Sequence, residues 1–138
     1  MIGKKLVQPK GRFALTNGRV ILPQEIVTGK AVIVERDKIL GIADVGSLGA
    51  SMEKIDAGGR YITPGLIDIH THGARGHTFN DPTAEAFTSI TAENAMRGVT
   101  SLLATISTAP IPDMVKCLEF SRQWMHQPHA GSQVLGVH

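Results

Sequence analysis

Cysteine is nearly absent: Cys117 stands alone, so no internal disulfide can form and no Cys-x-x-Cys pair exists for zinc or redox chemistry. That usage fits a reducing compartment, and a cytoplasmic location is expected. An excess of one charge is also missing. Fourteen Lys+Arg against twelve Asp+Glu leave a formal charge of +2 spread along the chain, which excludes the concentrated basic footprint of a nucleic-acid binder. No run approaches the roughly 18 to 20 apolar residues of a spanning helix. Met1–Pro9 carries two lysines with no apolar core behind them, so neither a membrane span nor a secretion signal is expected. Gly3 does not directly follow Met1, which excludes N-myristoylation. Aromatic content is only 4%, yet 42% hydrophobic and 19% charged residues make an ordinary globular composition, neither collagenous nor disordered. A length of 138 residues allows one compact domain or two small pieces, not a large multidomain enzyme.

From Arg12 to about Ile62 the chain reads as short β-branched runs broken by turn residues, the pattern of an antiparallel sheet without helices. Phe13–Leu15 and Arg19–Leu22 flank Asn17-Gly18, a strong two-residue hairpin signal because both residues tolerate the positive φ of a type I′ turn. Ala31–Val34 and Lys38–Ile42 flank the polar Glu35-Arg36-Asp37 as a second hairpin, and Lys54–Asp56 and Arg60–Ile62 read as further extended pieces. After Thr63-Pro64-Gly65 the grammar becomes strand, helix, strand, helix, strand, the signature of parallel βαβ units. The fold class is therefore α/β, with a domain boundary separating residues 1–63 from residues 64–138. Strand Leu66–His70 leads through a Gly-rich loop to a helix capped by Asp81, with Pro82 at its first position and Gly98 at its end. Its largest apolar members are Phe87, Ile90 and Met96. Thr100–Ile106 is a continuous apolar strand, Asp113 to about His126 a second helix with Val115, Leu118 and Trp124 on its packing face, and Gln133–His138 a third strand. Three parallel strands and two helices cannot close a barrel, so the chain is expected to be truncated; the alternative is a minimal α/β unit completed by an oligomeric partner.

The chemistry concentrates in Thr63-Pro-Gly-Leu-Ile-Asp-Ile-His-Thr-His-Gly73. Alternation along a strand puts Leu66, Asp68, His70 and His72 on one face and Ile67, Ile69 and Thr71 on the other. With Ile67 and Ile69 packed on helices, the carboxylate and both imidazoles face the interior or its mouth. Burying three polar groups costs several kcal/mol, on the order of 2 or more each, unless something pairs them, and a divalent cation serves. Imidazoles two apart at the C-terminal end of a strand can both reach one ion at about 2.0–2.1 Å, which makes His70 and His72 the candidate metal ligands. Asp68 is placed to support them from behind. An isolated His-x-His is more often a solvated pair; here the Pro-Gly before the strand, the strand-to-helix exit after it and the upstream Asp favour metal.

Pro64-Gly-Leu-Ile-Asp-Ile-His-Thr-His-Gly73 resembles the first barrel strand of the amidohydrolase superfamily. Ala14–Val20 and Ala31–Ile42 are similar to the N-terminal strands that form part of a small β-sandwich beside a (β/α)8 barrel in that superfamily, so the resemblance covers nearly the whole chain. Dihydroorotases and hydantoinases usually continue His-x-His with an Arg and a Pro-Gly. Here Gly73-Ala-Arg-Gly-His-Thr-Phe-Asn-Asp81 resembles the Gly-rich loop of the N-acetylglucosamine-6-phosphate deacetylase family, and Gly98–Thr105 and Val134–His138 fit it too. The resemblance implies N-terminal β-sandwich strands followed by the first strands and helices of a metal-dependent TIM-type barrel. It implies metal-assisted deacetylation of N-acetylglucosamine 6-phosphate to glucosamine 6-phosphate and acetate, with Zn or Fe as the divalent metal and a homodimer at full length. In that family Val134–His138 continues as Leu-Glu-Gly-Pro, whose Glu is a ligand, and the general base is an Asp on a late strand. No catalytic residue is therefore expected within these 138 residues, the substrate contacts are unassigned, and the chain alone is expected to be inactive. Some members lack His-x-His and use one metal at the downstream site. The rival expectations are another amidohydrolase, dihydroorotase-like or deaminase-like, and a non-catalytic metal-binding or interaction fragment.

Other candidates carry less. His77 and Arg75 lie in the loop after the first strand and are read as solvated. His138 ends the third strand near the expected metal position and is unassigned. His126 and His129 flank Gln127-Pro128 in a loop and are read as surface residues. Mid-helix Cys117 is read as a packing residue, and Gly73-Ala-Arg-Gly76 has the wrong spacing for a phosphate-cradling motif.

Overall fold

The computed structural model describes residues 11–138; the readings made on Met1–Pro9 and Gly3 lie outside the described residues. The chain divides into two compact units between Pro64 and Gly65.

Among the described residues, the first unit holds seven strands: β1 (Arg12–Thr16), β2 (Arg19–Ile21), β3 (Ile26–Val27), β4 (Lys30–Glu35), β5 (Lys38–Asp44), β6 (Glu53–Asp56) and β7 (Tyr61–Ile62). They form two sheets, ordered β5-β4-β1-β6 and β3-β2-β7. The second expected hairpin forms, β4 pairing antiparallel with β5 and Glu35 opposite Lys38; Arg36 takes the positive φ, 56°, that this tight turn requires. The first expected hairpin does not. β1 pairs instead with β4 and, in parallel, with β6, while β2 pairs in parallel with β7, so neither sheet is purely antiparallel. Of Asn17 and Gly18 only Asn17 has a positive φ, and a type I′ turn needs two. Asn17-Gly18 carries the chain from one sheet to the other, tied down by Asn17 Nδ2 donating to Asp56 Oδ1 at 2.7 Å and Gly59 N donating to the Asn17 carbonyl at 2.7 Å. Gly18 is there for space, because a Cβ would meet the Ile62 side chain. A 3-10 turn, Val45–Ser47, interrupts this β-rich segment.

The second unit runs β8 (Leu66–Thr71), β9 (Gly73–Ala74), β10 (His77–Thr78), α1 (Ala84–Met96), β11 (Val99–Ala104), α2 (Ile111–Met125) and β12 (Gln133–Val137). Strands β8, β11 and β12 form a parallel sheet in the order β12-β11-β8, as the strand-helix alternation requires. Thr83, not Asp81, caps α1, its hydroxyl accepting from Ala86 N at 3.2 Å. Asp81 is engaged elsewhere, its carboxylate accepting from Thr78 N at 3.1 Å. Phe87 and Ile90 are fully buried, whereas Met96 is 76% exposed. On α2 the buried residues are Cys117, Ser121 and Trp124, spaced four and three apart along one stripe; Val115 and Leu118 face outward, contrary to the expected packing face. The core joins Phe79, Phe87, Ile90 and Trp124 to Leu102, Ala104 and Val134 of the sheet. Among the described residues no helix is long and apolar enough to cross a membrane.

Candidate functional site

β8 lies at the edge of its sheet, and its register against β11 decides where its side chains go. Leu102 pairs with Asp68 and Ala104 with Thr71, so β8 advances three residues while β11 advances two. Paired residues of neighbouring strands share a face. Leu102 and Ala104 are both fully buried on the helix side, which places Asp68 and Thr71 there and breaks the alternation between them by a β-bulge. His70 and His72 flank Thr71 and occupy the opposite face. The expected common face for Asp68, His70 and His72 is therefore corrected. Nor do Ile67 and Ile69 pack on the helices; they stand 63% and 67% exposed, because the helices cover the Leu102 side.

The two imidazoles do come together. Their rings meet edge-on with centroids 5.2 Å apart, and His138, at the end of β12, brings a third ring to 4.6 Å from His70. All three are exposed at the C-terminal ends of parallel strands, where sites of α/β proteins collect. Asp68 reaches this group through the backbone, its Oδ1 accepting from His70 N at 3.0 Å. Gly73, just beyond His72, permits the β9–β10 hairpin to fold back, since a Cβ there would strike the His77 carbonyl. Two residues that sequence reasoning missed complete the arrangement. Ser107, three residues past β11, sets its Oγ 2.9 Å from His72 Nδ1. Asn80, following β10, grips the Ser107 backbone with both ends of its amide. The available signal was position: Ser107 follows the second parallel strand as His72 follows the first.

The residues present suit a divalent cation in kind, two imidazole donors side by side on one exposed edge. Among the described residues, however, no group of three or more His, Cys, Asp or Glu side chains is arranged to hold one.

The lesser candidates separate. His77 sits in the β9–β10 hairpin opposite Ala74. Arg75 is not simply solvated: its Nε lies 2.8 Å from Glu93 Oε2, and Arg97 holds the other oxygen at 3.0 Å. The Arg97 hydrogen bond, with the Arg75 and Arg97 charges behind it, keeps the Glu93 carboxyl below the usual carboxylate range. His126 is exposed, but His129 stacks on Trp124 at 5.0 Å. Burial first, then the Asp113 and Asp81 charges, pushes the Cys117 thiol up, the opposite of an activated nucleophile.

Parallel strands that deliver paired histidines to one rim, preceded by a β-rich segment, define the class of protein. Residues 61–132 match the model of the amidohydrolase family, and the chain belongs to that family. Among individual relatives, the chain is 29% identical over 128 residues to the N-acetylglucosamine-6-phosphate deacetylase of Haemophilus influenzae, a match covering 92% of this chain and 33% of the relative. It is 32% identical over 110 residues to a dihydroorotase of Listeria monocytogenes, covering 78% and 24%. Its structure resembles the crystal structure of N-acetylglucosamine-6-phosphate deacetylase from Pasteurella multocida with a TM-score of 0.85 and 30% identity, covering 92% of this chain and 33% of that one. The chain thus spans about a third of the length of the deacetylases it matches.

Proposed function

We propose that the protein of which this chain is part is a divalent-metal-dependent amide hydrolase that deacetylates N-acetylglucosamine 6-phosphate, giving glucosamine 6-phosphate and acetate. The observation that carries this reading is the likeness, at a TM-score of 0.85 and 30% identity, to a deacetylase of that specificity across both units. The loop Gly73–Asp81 supports it, because it continues the histidines with Gly73-Ala-Arg-Gly76 and has no Pro-Gly, where cyclic-amide hydrolases usually have an Arg and a Pro-Gly. On this reading residues 1–63 belong to a β-sandwich, and residues 64–138 are the first strands and helices of a (β/α)8 barrel whose strand ends form the active rim. The protein is read as cytoplasmic and, at full length, a homodimer.

His70 and His72 would hold the cation, Zn or Fe, through ring nitrogens, and Asp68 would steady His70 by its bond to the His70 amide. When bound, a divalent cation at such a site polarises the amide carbonyl as a Lewis acid. A general base must take a proton from the attacking water and return it to the leaving amine. Among the described residues, Asp68, the carboxylate that reaches the pair, lies on the helix-side face of the sheet and is spent on backbone, so the 138-residue chain is proposed to be inactive by itself.

Two measurements test this reading. Equilibrium dialysis of the chain with Zn²⁺ should give weaker binding in His70→Ala and His72→Ala; unchanged binding in both removes the pair as the site. The complete reading frame containing this chain should release acetate from N-acetylglucosamine 6-phosphate. Opening of a cyclic amide such as dihydroorotate instead would favour the second reading, which the 32% identity to a dihydroorotase supports.

A further inference from the structure

We propose that Ser107, locked by Asn80, is a positioning residue for His72: its Oγ accepts from His72 Nδ1–H and so leaves the Nε2 lone pair for a cation. The lock is built from a reciprocal amide pair. Asn80 Oδ1 accepts from Ser107 N at 2.8 Å while Asn80 Nδ2 donates to the Ser107 carbonyl at 3.0 Å. A flipped Asn80 amide would set donor against donor and acceptor against acceptor, so the pair has one orientation. Asn80 is fixed in turn through its backbone, whose N–H donates to Thr78 Oγ1 at 3.1 Å and whose carbonyl accepts from the Cys117 thiol at 3.4 Å. The adjacent Phe79 N donates to the His72 carbonyl at 2.9 Å. The β9–β10 hairpin, the loop after β11 and the end of β8 are thereby fastened at one point, and the hydroxyl that emerges there stands 2.9 Å from His72 Nδ1.

A hydroxyl can donate to or accept from an imidazole nitrogen, and the direction assigned here rests on the proposed cation site. Only the tautomer with hydrogen on Nδ1 frees Nε2 for a metal, and ligating histidines characteristically donate their other N–H to an oxygen. The expected companion of the pair, Asp68, makes no such contact; it holds the His70 backbone. The ring of His72 is served instead by a residue 35 positions further along the chain.

The test has a readout that the metal does not enter. Long-range ¹H–¹⁵N correlation spectra of the metal-free chain, with the His72 ring assigned by its loss in His72→Gln, report which nitrogen carries the hydrogen. Wild type should show Nδ1–H, Ser107→Ala should shift His72 toward the Nε2–H form that free imidazole side chains favour, and Ser107→Thr should restore Nδ1–H. Zn²⁺ affinity should fall about 10- to 100-fold in Ser107→Ala and in Asn80→Ala, and recover in Ser107→Thr. An Nε2–H wild-type ring, or a tautomer and an affinity both indifferent to Ser107→Ala, overturns the inference. If Ser107→Ala does not fold, the wild-type tautomer alone decides. Zn²⁺ binding that survives His70→Ala and His72→Ala defeats the cation-site reading instead, and the tautomer still judges Ser107 separately.

Discussion

Removing one ring from the second unit should cost it a large share of its stability. Phe79 is fully buried and meets Phe87 edge-on at 4.9 Å; Phe87 lies 5.0 Å from Phe120 and 5.4 Å from Trp124. Burying a Phe side chain stabilises by about 1.5–3 kcal/mol through transfer alone. The cavity left by Phe79→Ala raises the expected loss to about 3–5 kcal/mol, within which the edge-to-face contact supplies about 0.5–1.5. At about 0.05–0.15 kcal/mol per residue, the 74-residue unit Gly65–His138 has only about 4–11 kcal/mol to lose. The assay is urea unfolding followed by the fluorescence of Trp124, the single tryptophan, which sits inside the same cluster. With a urea slope of at most about 3 kcal/mol per molar, a 3 kcal/mol loss moves the midpoint down by about 1 M or more. Phe79→Leu, which keeps most of the volume, should recover part of that shift and keeps the experiment quantitative if the alanine variant is largely unfolded. Met96→Ala, at a position 76% exposed, is the control and should change stability by less than about 0.5 kcal/mol. A midpoint for Phe79→Ala no lower than that of Met96→Ala would refute the assignment of this cluster as the core of the unit.

Two predictions follow from titrating groups. Glu93 is held below the usual carboxylate range chiefly by its hydrogen bond from Arg97, so its contribution to stability is present above the ordinary glutamate pKa, about 4.3, and disappears as the pH falls through the lowered value. Urea midpoints of wild type should therefore exceed those of Glu93→Gln near neutrality and converge with them in acid; a difference that holds constant or grows on acidification would contradict the Arg75–Glu93–Arg97 arrangement. Cys117, buried and with its thiol pushed up, should resist a thiol-specific disulfide reagent near pH 7.5 in the native chain and react at once in urea. Fast labelling of folded protein would show that the stripe Cys117, Ser121 and Trp124 is not the packed face of α2.

The second unit was legible because its elements announce themselves in one dimension. Strand, helix, strand, helix, strand follows from continuous apolar runs and Gly or Pro punctuation, and the strands are parallel as that order demands. Helix ends were less so: Asp81-Pro82 looks like a cap with its first residue, but Thr83 wins because Asp81 is already committed to Thr78 N. The apolar face of α2 misled for a related reason. Val115 and Leu118 are larger than Cys117 and Ser121, yet the small residues face the core, where Ser121 Oγ can donate to the Cys117 carbonyl at 2.8 Å. In the first unit, Asn17-Gly18 reads as a hairpin on local chemistry alone. What defeats it is the competition of two other strands for β1: β4, about 20 residues downstream, and β6, about 40, which a local rule does not weigh.

The candidate site divides along the same line. His70 and His72 were identifiable by residue type and spacing, and their rings still meet, 5.2 Å apart, although the register of β8 slips between Asp68 and Thr71. Asp68 lies before the bulge, so the identical counting rule sends it to the wrong face. Alternation transmits a face only along an unbroken ladder, and whether β8 is unbroken depends on its pairing with Leu102 and Ala104, more than 30 residues away. Ser107 and Asn80 are invisible to any pattern that reads neighbours, being 27 residues from each other and, for Ser107, 35 from His72. Both nevertheless sit where parallel topology sends functional residues, in loops that follow strands at the C-terminal edge of the sheet. The supporting partner of a strand-end histidine is therefore better sought in the loop after the adjacent parallel strand than two residues upstream on its own. Here that rule selects Ser107 over Asp68 as the residue that acts on the ring.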